Sequence, residues 1–172
     1  MNLFNLSVQL IGAVGIISSI ISFQCRKHKS LMIFRTGNEL LFAVQYIMLG
    51  AYTGAAMNLI GCLRNVIFAR TVEKGKSTMM QRILFSVLFI IFSLITWTGL
   101  KSILIGIAKV VSTAAYGNKN VAIVRIMILF TSISWFIYNA MVGSIAGCIC
   151  ELFTICSIIV GIVRIDIKRK EV

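Results

Sequence analysis

Seven apolar runs, at roughly 7–25, 31–49, 51–70, 82–98, 101–117, 121–141 and 145–166, occupy most of this 172-residue chain. Only short turn-like stretches separate them: RKHKS, GAYTG, EKGKST, TGLK, GNKN and GSIAG. A span across a bilayer takes roughly 20 residues, or about 17 when short. Each run therefore reads as a spanning helix, and the break at 98–101 as the one where runs four and five come closest to a single bent helix. Hydrophobic residues make up 59% of the chain and charged ones 13%. One aqueous core has no room for that much apolar surface, whereas lipid dissolves it. The fold class expected is all-α integral membrane. The first run is followed, not preceded, by Arg26, Lys27 and Lys29, so it reads as a retained helix and not a cleaved signal.

The formal charge is +12. On a soluble protein that excess points to nucleic acid. Here the basic residues stand at the ends of apolar runs, which is a topology signal and argues against a nucleic-acid partner. Arg26, Lys27, Lys29, Arg70, Lys74, Lys76, Arg82, Lys119, Lys168, Arg169 and Lys170 fall in alternate breaks and the tail, and Lys101 alone falls in the others. The positive-inside rule then puts the N-terminus outside and the C-terminus in the cytoplasm, which requires an odd number of spans.

The two halves resemble each other. FAVQYIMLGAYTGAAMNL at 42–59 aligns with WFIYNAMVGSIAGCICEL at 135–152, pairing Phe42 with Trp135, Gly50 with Gly143 and Gly54 with Gly147. GAVGIISSIISFQ at 12–24 aligns with GIAKVVSTAAYGN at 106–118. The expected organisation is one membrane domain: a three-helix unit at 1–72, a linker helix at 79–99 and a second unit at 100–168. The odd linker keeps the two units parallel, a plan known in transporters with a solute site at mid-membrane between the repeats.

Ionisable and amide groups inside spans are the best pointers to function. Asn58 and Glu151 are repeat-equivalent and would face one cavity from opposite sides, either touching a ligand or bonding neighbouring helices. Gln45 and Tyr138, also equivalent, join Trp135 and Asn139 in a cluster of aromatics and amides suited to a flat or sugar-like solute. The bland reading is packing or an interfacial aromatic belt. Lys109 sits mid-helix, where snorkelling is difficult, and is expected to pair with Glu151 or Glu39, or to meet an anionic group. Arg35 and Glu39, four apart on one helix face, form a candidate ion pair that either braces the bundle or gates its cytoplasmic side. Arg64 and Asn65 are placed near an inner exit. Arg70, Arg125 and Arg164 read as snorkelling cations.

The five cysteines form no CxxC pair and His28 is the one histidine, so no metal site is expected; the cysteines read as small packing residues. HExxH, GxSxG and a phosphate-binding loop are all absent. No catalytic residue, cofactor or enzymatic activity is expected.

SFQCRKHKS at 22–30, YIMLGAYTGAAMN at 46–58 and Asn58 itself resemble the triple-helix bundle of PQ-loop and SWEET-type transporters, which the bacterial nicotinamide riboside transporters share. The whole chain looks more closely like the bacterial inner-membrane family typified by YgjV. That resemblance implies a multi-pass protein of the bacterial inner membrane with a 3+1+3 layout. It also implies a cavity lined by the helix-3 Asn58, Gln24 near the gate, and a sugar-, nucleoside- or vitamin-like solute carried by alternating access. The chain departs from the pattern in having no proline: Phe23 precedes Gln24, and Gly12 and Gly15 are left to supply the bend. Asn118 and Glu151 stand where the second half would carry Gln and Asn. Membrane lipid is the surrounding partner, and self-association into a homo-oligomer stays open. Two rivals remain: a receptor or partner-binding subunit, whose cavity would be plugged by side chains, and a membrane-embedded enzyme, which would need paired carboxylates or a metal cluster.

Overall fold

A chain without proline has nothing to interrupt helices once they start, and glycine does most of the punctuation here. A computed structural model describes residues 3–167. Among them are seven α-helices and no strand: α1 Leu3–Gln24, α2 His28–Met48, α3 Tyr52–Glu73, α4 Met79–Ile95, α5 Leu100–Tyr116, α6 Val121–Met141 and α7 Ile145–Gly161. The last continues as a π-helical turn over Ile162–Ile167. The basic cluster expected at Lys168, Arg169 and Lys170 lies outside the described residues.

The turns after α2 and α6 share a device. Gly50 and Gly143, paired in the repeat alignment, adopt φ of 69° and 72°, in the left-handed region that a side chain resists. The chain then re-enters a helix three residues or fewer later. Fourth and fifth runs are separate helices, divided at Gly99.

The helices pack in chain order, α1 on α2, α2 on α3, α5 on α6 and α6 on α7, and α7 returns to α1 while α3 meets α5. Helix α4 lies against α3 and α5. Tertiary bonds sort the connections into two ends. At one end, Lys29 Nζ meets Glu73 Oε1 at 2.8 Å, His28 Nε2 donates to the Tyr116 carbonyl at 2.7 Å, and Thr78 Oγ1 donates to the Gly117 carbonyl at 2.7 Å. At the other, Thr53 Oγ1 donates to the Thr96 carbonyl at 2.8 Å, and Ser144 Oγ donates to Gln45 Oε1 at 3.2 Å. The chain therefore shuttles between the ends, and the connection cations other than Lys101 gather at the first.

The burial pattern is inverted relative to a water-soluble bundle. Among the described residues, 23 buried polar or charged side chains match 23 buried apolar ones, while 40 large hydrophobics stand exposed along all seven helices. Soluble proteins rarely leave such continuous apolar faces open; a helical protein dissolved in lipid does. Among the described residues, α6 (Val121–Met141) and the stretch Ile145–Ile167 are both long and apolar enough to qualify as spans on length and composition alone. For α2 to α5, which fall short, the physical reason is visible. Helices α2, α3 and α5 carry Arg35, Glu39, Arg64 and Lys109, and α4 has just 17 residues.

Candidate functional site

A polar cavity lies among α2, α3, α5, α6 and α7, closed down to about 30 Å³ between its side chains. Helix α2 contributes Arg35, Asn38, Glu39, Phe42 and Tyr46, a stripe at i, i+3, i+4, i+7 and i+11 that occupies one helix face. Helix α6 contributes Ile128, Thr131, Ser132, Trp135 and Asn139. Each of these lies 93 residues after its α2 counterpart, the separation of the bonded pair Tyr46 and Asn139. Asn58 of α3 and Glu151 of α7, 93 apart as well, line it too, with Gly147, Cys150 and Thr154 of α7 and Lys109, Ser112 and Tyr116 of α5.

Glu39 is the hub. Its Oε1 accepts from Arg64 Nη2 at 3.0 Å and its Oε2 lies 3.2 Å from Lys109 Nζ. All three side chains are buried. Arg64 also donates through Nη1 to Ser112 Oγ and Thr113 Oγ1, each at 3.1 Å, and through Nη2 to Asn65 Oδ1 at 2.9 Å. Its guanidinium sits 4.8 Å from the Tyr116 ring centroid, and the Lys109 ammonium 5.1 Å from that of Trp135. These contacts satisfy charges that water does not reach.

Two expectations are corrected here. Arg35 does not pair with Glu39, because α3 and α5 bring Arg64 and Lys109 to both carboxylate oxygens. Arg35 turns instead toward α1, donating to Ser19 Oγ at 3.2 Å and lying over the Phe23 and Tyr116 rings. Arg64, placed by sequence near an inner exit, is fully buried inside the network. Lys109 takes Glu39, one of the two partners foreseen for it. Glu151 keeps Ser132 beside its carboxylate, with Arg35 and Lys109 close enough to be felt electrostatically, yet no ion pair reaches it among the described residues.

Toward the Lys101 end, an aromatic plug closes the cavity. Tyr46 stacks on Trp135 with centroids 6.4 Å apart, Tyr138 meets both rings edge-on, and Tyr46 Oη donates to Asn139 Oδ1 at 2.6 Å. Tyr46→Phe removes only that buried bond. We expect a loss of about 1 kcal/mol in a reversible unfolding titration in mixed micelles.

Of the residues singled out by sequence, Asn58, Glu151, Asn139, Trp135, Lys109, Arg35 and Glu39 line the cavity. Gln45, Tyr138 and Gln24 do not. Gln45 donates to the Val8 carbonyl and accepts from Ser144. Tyr138 packs on Gly54, where a Cβ would meet its hydroxyl. Gln24 Nε2 donates to the Ser157 carbonyl at 2.8 Å, tying α1 to α7. Asn38, Tyr116, Thr131 and Ser132 are lining residues that the sequence reading missed; their spacing of three, four or seven from Arg35, Lys109 and Trp135 carried the signal.

Arg125 is also corrected. It does not snorkel. Fully buried, it donates to the Phe23 and Cys25 carbonyls at 3.0 and 2.9 Å and to Asp166 Oδ1 at 2.6 Å. That clamp joins the end of α1, the start of α6 and the turn after α7. In the loop beside it, burial holds the Cys25 thiol above its ordinary pKa against the pull of the Arg125 guanidinium, so Cys25 is a protonated, unreactive thiol at neutral pH. No three His, Cys, Asp or Glu side chains gather into a metal-holding group among the described residues.

Residues 6–169 match the Imp-YgjV family, described as bacterial inner membrane protein. The chain belongs to that family. No curated protein and no solved structure matches it. Placement in the inner membrane accounts for the exposed apolar faces of this Imp-YgjV protein, since lipid covers them. It also sharpens the meaning of the Glu39 hub: intramembrane charges are costly, and they persist where they face a protein interior or a polar path.

Proposed function

We propose that this Imp-YgjV protein is a carrier or facilitator of a small solute, working by alternating access and performing no chemistry on what it carries. In this reading all seven helices span the membrane. Residues 1–72 and 100–168 form two parallel three-helix units, and α4, within 79–99, links them. The observation that carries the reading is the position-for-position match of the α2 and α6 linings. A two-fold axis along the membrane normal brings equivalent positions together across a shared cavity, and Tyr46 and Asn139 bond across it at an offset of 93. The α7–α1 and α3–α5 contacts are the matching seams between units. The resemblance to PQ-loop and SWEET-type bundles supports the same plan. The cation-rich end is cytoplasmic, which sets the N-terminus outside and the C-terminus inside.

Asn58, Glu151, Asn139 and Trp135 contact the solute. In the conformation described, the lining leaves about 30 Å³, room for about one water, so a solute enters when the units rock apart.

The test is thermal melting of the purified protein in detergent against sugars, nucleosides, vitamins, amino acids and organic ions of both signs. A ligand that binds only the folded state stabilises it by about 2.7 kcal/mol at a hundred times its Kd. One class is expected to raise the melting temperature of the wild type and of neither Asn58→Ala nor Glu151→Ala. A wild type that responds to nothing on the panel favours the rival, a receptor or partner-binding subunit.

A further inference from the structure

The cavity's charges do not balance, and the imbalance identifies the kind of solute. Three cations, Arg35, Arg64 and Lys109, are set against two carboxylates, Glu39 and Glu151. Arg64 and Lys109 are both committed to Glu39. Arg35 holds no carboxylate at ion-pair distance: among the described residues, the ion pairs are Lys29–Glu73, Arg64–Glu39, Lys109–Glu39 and Arg125–Asp166.

What does surround Arg35 is on every side accounted for. From α1 come the Ser19 hydroxyl and the Phe23 ring, and from α5 the Tyr116 ring. From its own helix comes Glu39, whose charge Arg35 feels but whose two oxygens are ion-paired with Arg64 and Lys109. From α7 come Cys150 and Glu151, within electrostatic range. Its Nε is buried and has no hydrogen-bond partner. A guanidinium carries five donors in a planar fork matched to a carboxylate, and this one lines the cavity with part of that fork unused. An excess positive charge at mid-membrane is costly until something negative neutralises it. A sugar would leave the excess in place, and a cation would add to it.

We propose that the solute is a small organic monoanion, its carboxylate received by Arg35 and its apolar body laid toward the Phe42, Trp135 and Tyr46 wall. This rests on the carrier reading above and adds the class of solute to it.

The experiment uses three probes of one shape and different charge: benzoate, benzamide and benzylammonium. Each is titrated into the full-length protein in detergent, with melting temperature and isothermal calorimetry as readouts. Benzoate is expected to bind and raise the melting temperature, and the other two to leave it unchanged. Arg35→Gln is expected to weaken benzoate by about tenfold or more, whereas Arg35→Lys and the exposed Arg164→Gln keep it. If Arg35→Gln fails to fold, the three-probe comparison on the wild type decides. Benzamide or benzylammonium binding as well as benzoate, or Arg35→Gln binding benzoate like the wild type, overturns the anion inference and leaves the carrier reading standing. So does binding of an uncharged solute from the panel with no response to benzoate. No binding by these probes or by any panel member removes both.

Discussion

Glu39→Gln is expected to destabilise the bundle by about 3–5 kcal/mol, the usual cost of stranding a buried charge by removing its partner. Two cations lose their counter-ion at once. Arg64 and Lys109 are held at 3.0 and 3.2 Å by the two oxygens of one carboxylate, and both are buried too deeply to turn toward water. Arg64 keeps its hydroxyl and amide partners, which bond it without neutralising it. Lys109→Met behaves differently. It leaves Glu39 paired with Arg64, so its cost is smaller. The double variant Glu39→Gln/Lys109→Met is then less damaging than the sum of the two singles, because the second change removes one of the charges that the first stranded. Reversible unfolding in mixed micelles measures all three. Additive effects would mean that the pair does not interact in the folded protein.

Gly61→Ala attacks the same hub without touching a charge. Gly61 lies on α3 against the Glu39 carboxylate of α2. A Cβ there would overlap Glu39 Oε2 and come 2.9 Å from Lys109 Nζ. The carboxylate has no room to step aside while its other oxygen holds Arg64. Overpacking plus a displaced ion pair is expected to cost about 2–4 kcal/mol. Gly37→Ala is the matched control. It sits in α2, and its Cβ would meet only the Ser18 hydroxyl at 3.2 Å, so the same change stays within about 1 kcal/mol of the wild type. The two melting curves should separate clearly. If they coincide, the close approach of α3 to Glu39 is wrong.

The elements were legible in the sequence because apolar runs and turn residues are local signals. The five breaks with glycine in them all became turns, and the repeat alignment that paired Gly50 with Gly143 paired two residues of the same left-handed conformation. The site was legible in part. Asn58, Lys109, Trp135 and Glu151 stood out as polar or aromatic groups within apolar runs, and they line the cavity. Gln45 and Tyr138 stood out equally but face elsewhere. Each precedes a lining residue by one position, and one residue turns a helix by about 100°. Both miss by the same rotation in their own helix.

Pairing was the least legible layer. Arg35 and Glu39 satisfy the i, i+4 rule, yet that rule describes an isolated helix. In the bundle, cations from α3 and α5 arrive 25 and 70 residues further along the chain and take both oxygens. Arg125 failed likewise. Near the end of a run it resembles a snorkelling cation, and only the packing of α1 and the turn after α7 shows the carbonyls and the Asp166 carboxylate that hold it. Long-range partners of a charge have no local signature.

The central claim is a cavity that opens to each side of the membrane in turn. Its most direct test is Asn58→Cys in a chain whose five native cysteines are replaced by alanine or serine. A membrane-impermeant maleimide is applied to right-side-out and to inside-out vesicles. The account predicts modification of position 58 from both sides, with a bound solute slowing both rates. Modification from one side alone, or from neither, would contradict alternating access and leave a plugged bundle that binds a partner.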